Sequence, residues 1–542
     1  MVHGDYRGST EPEITVESPR NVAAGLPAAL VALRRSLSQM GAVRTVATLA
    51  RVNQRDGFDC PGCAWPEEPG GRKLAEFCEN GAKAVAEEAT RRVVTPEFFA
   101  RHPVSDLAAR SEYWLSRQGR LTHPMVLHPG ESHYRPIDWD AAYALIAEHL
   151  RALPSPDEAV FYTSGRTSNE AAFLYQLMVR SFGTNNLPDC SNMCHESSGT
   201  ALTESIGVGK GSVTVTDIEH ADLILIAGQN PGTNHPRMLS VLEKAKANGA
   251  RIVAINPLPE AGLIRFKDPQ KVRGVLGTGV PIADEFVQIR LGGDMALFRG
   301  LARLLLEGGH EDRAFIDAHC HGFDEYADVA RAVDIETVLD ATGVTEQQLR
   351  RVAGMLAGSG RTIVCWAMGL TQHTHAVAAI AEIANVLLMR GMIGKPGAGL
   401  CPVRGHSNVQ GDRTMGIWER APESFLAALD RRFGISVPRR HGYDTVNAIR
   451  AMRSRRASVF VGMGGNFASA TPDTAVTEDA LRNCALTVQV STKLNRSHLV
   501  GGRTALILPT LGRTDRDVVN GRRQVVSVED SMSMVHLSRG SL

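Results

Sequence analysis

The chain has 542 residues, 43% of them hydrophobic, enough to bury a large core and to divide into several domains. Lys+Arg 59 against Asp+Glu 58 leaves a formal net charge of +1, so the balance favours neither nucleic acid nor an anionic membrane as principal partner. Nine cysteines scattered through so long a chain make no disulfide framework; they suit a reducing compartment, and a cytoplasmic protein is expected.

Met1 to Pro19 is polar and lacks the apolar core of a secretion signal. Arg34-Arg35 could open a twin-arginine export signal, but Ser36 to Thr45 is interrupted by Gln39 and Arg44 and reads as an amphipathic helix. No stretch reaches the roughly 18 apolar residues of a membrane span. Residues 1–55 are read as an extension without obvious chemistry.

Cys60-Pro61-Gly62-Cys63 follows, and then Phe77-Cys78-Glu79-Asn80-Gly81-Ala82-Lys83. Cys-x2-Cys on a Pro-Gly turn aims two sulfurs at one centre, as in zinc knuckles and iron-sulfur clusters. The cysteines supply three ligands, which leaves three readings open: zinc, a cluster completed by a non-cysteine group, or redox-active thiols.

From Met125 the pattern alternates between strand and helix. Pro136 starts a helix with acidic residues near its first turn, Ala159 to Thr163 is a short apolar strand, and Ser164 to Glu170 is a polar turn feeding the next helix. Such a turn presents backbone amides to a ligand. Pro188 to Gly199 holds Cys190, Cys194, His195 and two carboxylates in one polar stretch. A thiolate is a soft ligand for a transition metal, and imidazole exchanges protons near neutrality. The plainer reading of the pair is a buried free cysteine beside a hydrogen-bonded histidine.

Ala221 to Gly228 is a buried-type strand running into Gln229-Asn230-Pro231; a helix from Met238 to Asn248 and a strand Arg251 to Asn256 complete a strand-helix-strand unit. This predicts a parallel doubly wound sheet with ligands at the strand C-terminal ends. The loop lacks G-x-G-x-x-G, which disfavours an ordinary NAD site. The alternation recurs in strand Arg361 to Gly369, helix His375 to Leu388, and strand Ser458 to Met463 ending in Gly464-Gly465-Asn466. Between them lie Gly394 to Gly399 and then Pro402 to Asp412; the second stretch is too polar and glycine-rich for core and reads as either a long surface loop or a pocket wall.

Taken together, these motifs resemble the molybdopterin oxidoreductases of the dimethyl-sulfoxide-reductase superfamily, specifically the formate-dehydrogenase-like alpha subunits of YdeP type. The resemblance runs from about Asp59 to Asp517. It rests on Cys60-Pro-Gly-Cys63, Met193-Cys194-His195, Gly228-Gln-Asn-Pro231 with His235-Pro236, Gly394-Lys-Pro-Gly397, and Arg404-Gly-His-Ser-Asn-Val-Gln410.

The resemblance implies a multidomain α/β fold with two Rossmann-like doubly wound domains around a molybdenum-bis(molybdopterin guanine dinucleotide), and a small N-terminal [4Fe-4S] region. It divides the chain at 56–124 for iron-sulfur, 125–187 and 373–500 for the first cofactor domain, 188–372 for the second, and 501–542 as the start of a C-terminal region whose barrel is expected to be missing. It makes Cys194 the molybdenum ligand, His195 its catalytic neighbour, and Cys60, Cys63 and Cys78 the cluster ligands.

It further implies cofactor contacts from Gln229, Asn230, Pro231, His235, Asn256, Pro257, Gly369, Gln372, Arg404, Gly405, His406, Asn408, Gln410, Gly464, Gly465 and Asn466, with Lys83 bridging cluster and pterin. The implied function is two-electron oxidation or reduction of a small substrate, with an unidentified electron-transfer partner. Two departures stand out. Glu67 occupies the third cysteine position of the family's cluster motif. Thr371-Gln372 is followed by His373-Thr374, where a formate enzyme carries arginine two places on. A non-catalytic pterin-binding or stress protein, and a zinc-stabilised scaffold, are the competing expectations.

Overall fold

The computed structural model describes residues 16–73 and 75–542; residues 1–15, most of the polar stretch read for a secretion signal, lie outside it. The core of one unit is a five-stranded parallel sheet. Its strands run in the order Glu285–Gln288, Arg251–Asn256, Leu223–Ala227, Thr362–Trp366, Gly399–Pro402. In chain order this is 3-2-1-4-5, the doubly wound arrangement with its switch point between the first and fourth strands.

Alternation explains why these strands are apolar throughout. Leu223, Leu225 and Ala227 face one core cluster with helices Asp294–Glu307, Glu346–Ala357 and Ala376–Met389, while Ile224 and Ile226 face a second with helix Met238–Ala247. Each fully buried Leu or Ile contributes about 1.5–3 kcal/mol, so both faces hold the sheet.

A six-stranded sheet forms the second unit, in the order Arg135–Pro136, Met125–Leu127, Thr504–Pro509, Leu486–Ser491, Val459–Met463, Ala159–Thr163. The last four strands are parallel; Met125–Leu127 pairs antiparallel to Thr504–Pro509.

The sheets divide the chain differently from the sequence expectation in two places. Helix Ala376–Met389 and strand Gly399–Pro402 belong to the five-stranded unit, not to the one expected from residue 373. Gly394, Gly397 and Gly399 with Pro396 and Pro402 punctuate that stretch as a loop and hide a four-residue buried strand. Thr504–Pro509 lies inside the six-stranded sheet, so that sheet extends past the boundary expected at residue 500. The chain after it returns as a hairpin, Val526–Glu529 with Val535–Ser538, packed on the helices Asn169–Phe182 and Val409–Thr414.

Near the N-terminus, the expected helix at Ser36 lies within Gly25–Leu49, which Gly41 breaks at φ 73. Among the described residues no helix is long and apolar enough to cross a membrane.

Candidate active site

The switch point comes first, because it lets two chain segments approach closely. Gly369 N donates to Gly228 O at 3.0 Å, and a Cβ on Gly369 would fall 2.5 Å from Gly228 Cα. Gly228 also sits at φ +57, a conformation that a Cβ disfavours. The two glycines line a cavity of about 400 Å³.

Cys60, Cys63 and Cys78 line the same cavity, with Asn80, His235, Gly405 and His406. Backbone amides serve the sulfurs: Gly62 N donates to Cys60 Sγ at 3.4 Å, and Gly81 N to Cys78 Sγ at 3.3 Å, Cys78 being the N-cap of helix Glu79–Glu88. Burial, and then their mutual repulsion as thiolates, pushes the thiols of Cys60 and Cys63 up; burial does the same for Cys78. Thiols so arranged stay protonated until a cation offsets the lost hydration. Among the described residues, no three His, Cys, Asp or Glu side chains converge as ligands of one metal ion.

Glu67 is occupied elsewhere. Its Oε1 lies 3.3 Å from Arg237 Nη1, and its Oε2 3.1 Å from His536 Nδ1 and 3.7 Å from Arg72 Nη2. Arg237 also pairs with Glu76 at 2.9 Å, and its charge acts on Cys63 and Cys78.

Cys194 lies behind the cavity wall: a Cβ on Gly405 would stand 3.9 Å from Cys194 Sγ. Burial raises the Cys194 thiol, opposed by the Gly405 amide and by Arg404. Its loop is clamped from three sides. Arg413 Nη2 pairs with Asp189 at 2.8 Å and Glu196 at 2.5 Å, Gln372 Nε2 donates to Met193 O at 2.7 Å, and Thr445 Oγ1 donates to Asp189 O at 3.1 Å.

His195 is buried, and burial with the nearby charges of Arg404 and His235 holds its imidazole neutral, well below its ordinary range. Its Nδ1 is 2.9 Å from Ser198 Oγ, which accepts from Trp366 Nε1 at 3.0 Å; Nε2 is buried without a partner.

The remaining predicted residues divide by position. Gln229 binds His235 and keeps Oε1 buried and unpaired, while Asn256 donates to Gln229 O at 2.9 Å. Asn230 caps the short helix that Pro231 begins, and Pro257 O accepts from Gln288. His235 lines the cavity and its Nε2 donates to Arg404 O at 2.9 Å; burial lowers its pKa to about 4.

Arg404, Asn408 and Gln410 turn away from the cavity to bind Gly209, Thr167 and the C-terminal hairpin: Gln410 Nε2 meets Glu529 at 3.0 Å, and Asn408 Oδ1 accepts from Glu529 N at 2.6 Å. Gln372 is a brace for the Cys194 loop. Gly464, Gly465 and Asn466 sit at the end of strand Val459–Met463, beside Ser164 and Glu112. Lys83 is half-exposed and pairs with Glu79 at 2.9 Å; Asn80, not Lys83, lines the cavity.

Sequence reasoning missed Arg237, the partner of Glu67, although it directly follows His235-Pro236. It also left Cys190 without a role; its Sγ is 3.0 Å from His406 Nδ1.

Residues 120–498 match the molybdopterin oxidoreductase family. The chain belongs to that family. It is 77% identical over 538 residues to an uncharacterized oxidoreductase of Mycobacterium tuberculosis, covering 98% of this chain and 69% of that protein. Protein YdeP of Escherichia coli is 44% identical over 541 residues, covering 97% of this chain and 71% of YdeP. Among solved structures, acetylene hydratase from Pelobacter acetylenicus shares the fold at a TM-score of 0.59 and 16% identity, over 77% of this chain and 59% of that one.

A molybdopterin oxidoreductase holds a molybdenum-pterin cofactor, and the chain's own features fit one: a buried thiol behind Gly405, orphaned polar atoms at His195 Nε2 and Gln229 Oε1, and a two-glycine cradle at the switch point.

Proposed function

We propose that the chain is the cofactor-holding body of a molybdenum-dependent oxidoreductase that moves two electrons between a small substrate and a [4Fe-4S] cluster on Cys60, Cys63 and Cys78. The guanine dinucleotide form of the cofactor and a cytoplasmic setting belong to the same reading. The observation that carries it is the placement of Cys194 beside Gly405, a residue that also lines the three-cysteine cavity.

When bound, the cofactor supplies the two-electron redox chemistry at the metal. The chain's residues do the rest. Cys194 would be the protein's ligand to molybdenum, with the Gly405 amide and Arg404 opposing the cost of burying its thiolate. His195, neutral and held by Ser198, presents Nε2 as a proton donor or acceptor to substrate. Gly228 and Gly369 let the pterin approach backbone, and Gln229 offers it a free carbonyl oxygen. Arg237 offsets thiolate charge at Cys63 and Cys78. Because Glu67 spends both oxygens on Arg237 and His536, the fourth cluster position falls to another group.

Anaerobic purification with elemental analysis and pterin fluorescence tests the proposal. Molybdenum together with iron supports it; molybdenum without turnover would point to a binding protein, and zinc alone to a scaffold.

A further inference from the structure

Helix Gly25–Leu49 turns a row of leucines outward. Leu26, Leu30, Leu33 and Leu37 recur at the spacing that stacks side chains along one helix face, and they are 42% to 56% exposed. Among the residues that the helix turns inward are Ala32, Ser36, Gln39 and Thr45. A helix of a globular protein normally buries its apolar stripe, so half-exposed leucines in a row mark a contact surface. Ala29 and Val31 are exposed on the same helix, and the helix Val272–Leu276 packed beside it adds Val272 and Leu276, both exposed.

The charge on this surface has one sign. Gly25–Leu49 contains no Asp or Glu, and its charged residues are Arg34, Arg35 and Arg44. Arg34 is exposed, one turn from both Leu30 and Leu37. On the other flank of the helix Arg35 Nη1 donates to Tyr113 Oη at 2.6 Å, and Arg117 Nη1 donates to the same oxygen at 2.9 Å. Two guanidinium groups on one neutral phenol hold positive charge without a counter-ion. Arg273, on the neighbouring helix, is exposed as well. Among the described residues, none of Arg34, Arg35, Arg117 and Arg273 makes an ion pair. Glu68, Glu79 and Asp268, which share a groove with Ala29 and Leu33, are already paired with Lys73, Lys83 and Lys271.

We propose that this surface rests on an anionic phospholipid membrane, with the exposed leucines and valines entering the acyl boundary and Arg34, Arg35, Arg117 and Arg273 meeting headgroup phosphates. The helix lies on the membrane and does not cross it. A net charge of +1 over the whole chain hides the patch, because the acids that balance it lie elsewhere. Two features select lipid as the occupant. The stripe is wholly aliphatic and offers no hydrogen-bonding group to direct a protein partner, whose hot spots favour Trp, Tyr and Arg over Leu and Val. A second copy of the chain fits less well, because pairing two stripes about a two-fold axis sets Arg34 of each copy against a helix with no acid to answer it.

The probe is a vesicle of mixed phosphatidylglycerol and phosphatidylcholine, compared with one of phosphatidylcholine alone, and binding of the full chain is read by co-sedimentation. The chain should bind the anionic vesicle about tenfold more tightly or better, and less so as salt is raised. Leu30→Ser with Leu37→Ser, and separately Arg34→Gln with Arg273→Gln, should each weaken that binding about tenfold with urea midpoints close to wild type. Equal binding to both vesicles, or to neither, overturns the proposal. Loss with the arginine pair but not with the leucine pair overturns it too, since counter-ion attraction alone would explain the binding. A dimer in light scattering that the leucine pair dissociates would assign the surface to a second copy, and poly-glutamate binding more tightly than the anionic vesicle would assign it to an acidic protein.

Discussion

Gly228 and Gly369 meet backbone to backbone at the point where the five-stranded sheet reverses its order, with Gly369 N 3.0 Å from Gly228 O. No side chain fits between them. Gly369→Ala should therefore cost about 1–3 kcal/mol from overpacking and reduce retained pterin. Gly354→Ala, with nothing within 4 Å of the added Cβ and a helical position, should instead be neutral or stabilising by about 0.5–1 kcal/mol. Urea midpoints and pterin fluorescence on both variants check this; equal behaviour of the two would contradict it.

Glu67 carries the next prediction. Both of its oxygens are paired, but Arg237 keeps Glu76 and His536 keeps Asp530, so Glu67→Gln should lose about 1–3 kcal/mol from weakened charge-assisted contacts rather than strand a charge. Iron content of the surviving folded protein should not change, because Glu67 is not a cluster ligand. Loss of iron at unchanged stability would reverse that assignment.

Acid sensitivity follows from buried neutral histidines. His498 is 1% exposed, and burial lowers it from 6.5 to about 4. Between those values the unfolded chain takes up a proton that the folded chain refuses, so stability falls as pH drops through the window and is fully present above 6.5. The loss is up to about 3 kcal/mol for this one group. His498→Asn should flatten the dependence between pH 6.5 and 4 by a comparable amount, read from denaturation midpoints across that range. An unchanged slope would show that the burial of His498 is offset in another way.

Much of the frame was legible because its physics is local. The runs Leu223–Ala227 and Arg251–Asn256 are too apolar for anything but two-sided burial, and the helix between them fixes a parallel crossover. Strand Gly399–Pro402 was hidden by its glycines, and Thr504–Pro509 is placed only by long-range pairing with Leu486–Ser491 and Met125–Leu127. In the site, Cys60, Cys63 and Cys78 were visible as spacing. Arg237 was not, since its meaning depends on Glu67 and Glu76, more than 160 residues away. Asn408 and Gln410 look like pocket amides in sequence; their bonds to a hairpin that folds back from residue 526 depend on long-range contacts that the sequence does not display.

Substrate choice gives a fourth prediction. Thr374 is exposed and stands where the resemblance to formate enzymes would place arginine. A guanidinium grips a carboxylate bidentately, and its absence typically removes about 1.5–3 kcal/mol, or one to two powers of ten. Formate should be a poor substrate of the metal-loaded protein, and Thr374→Arg should raise formate-dependent reduction of a viologen dye. Efficient formate oxidation by the wild type would contradict this weighting.

The central claim is that Cys194 is the protein's bond to molybdenum, and molybdenum K-edge X-ray absorption on metal-loaded protein tests it most directly. Cys194→Ala should lose one sulfur from the metal's shell and abolish dye-linked turnover, while bound pterin and the urea midpoint stay close to wild type. An unchanged sulfur shell in the variant, or full turnover without it, would contradict the account.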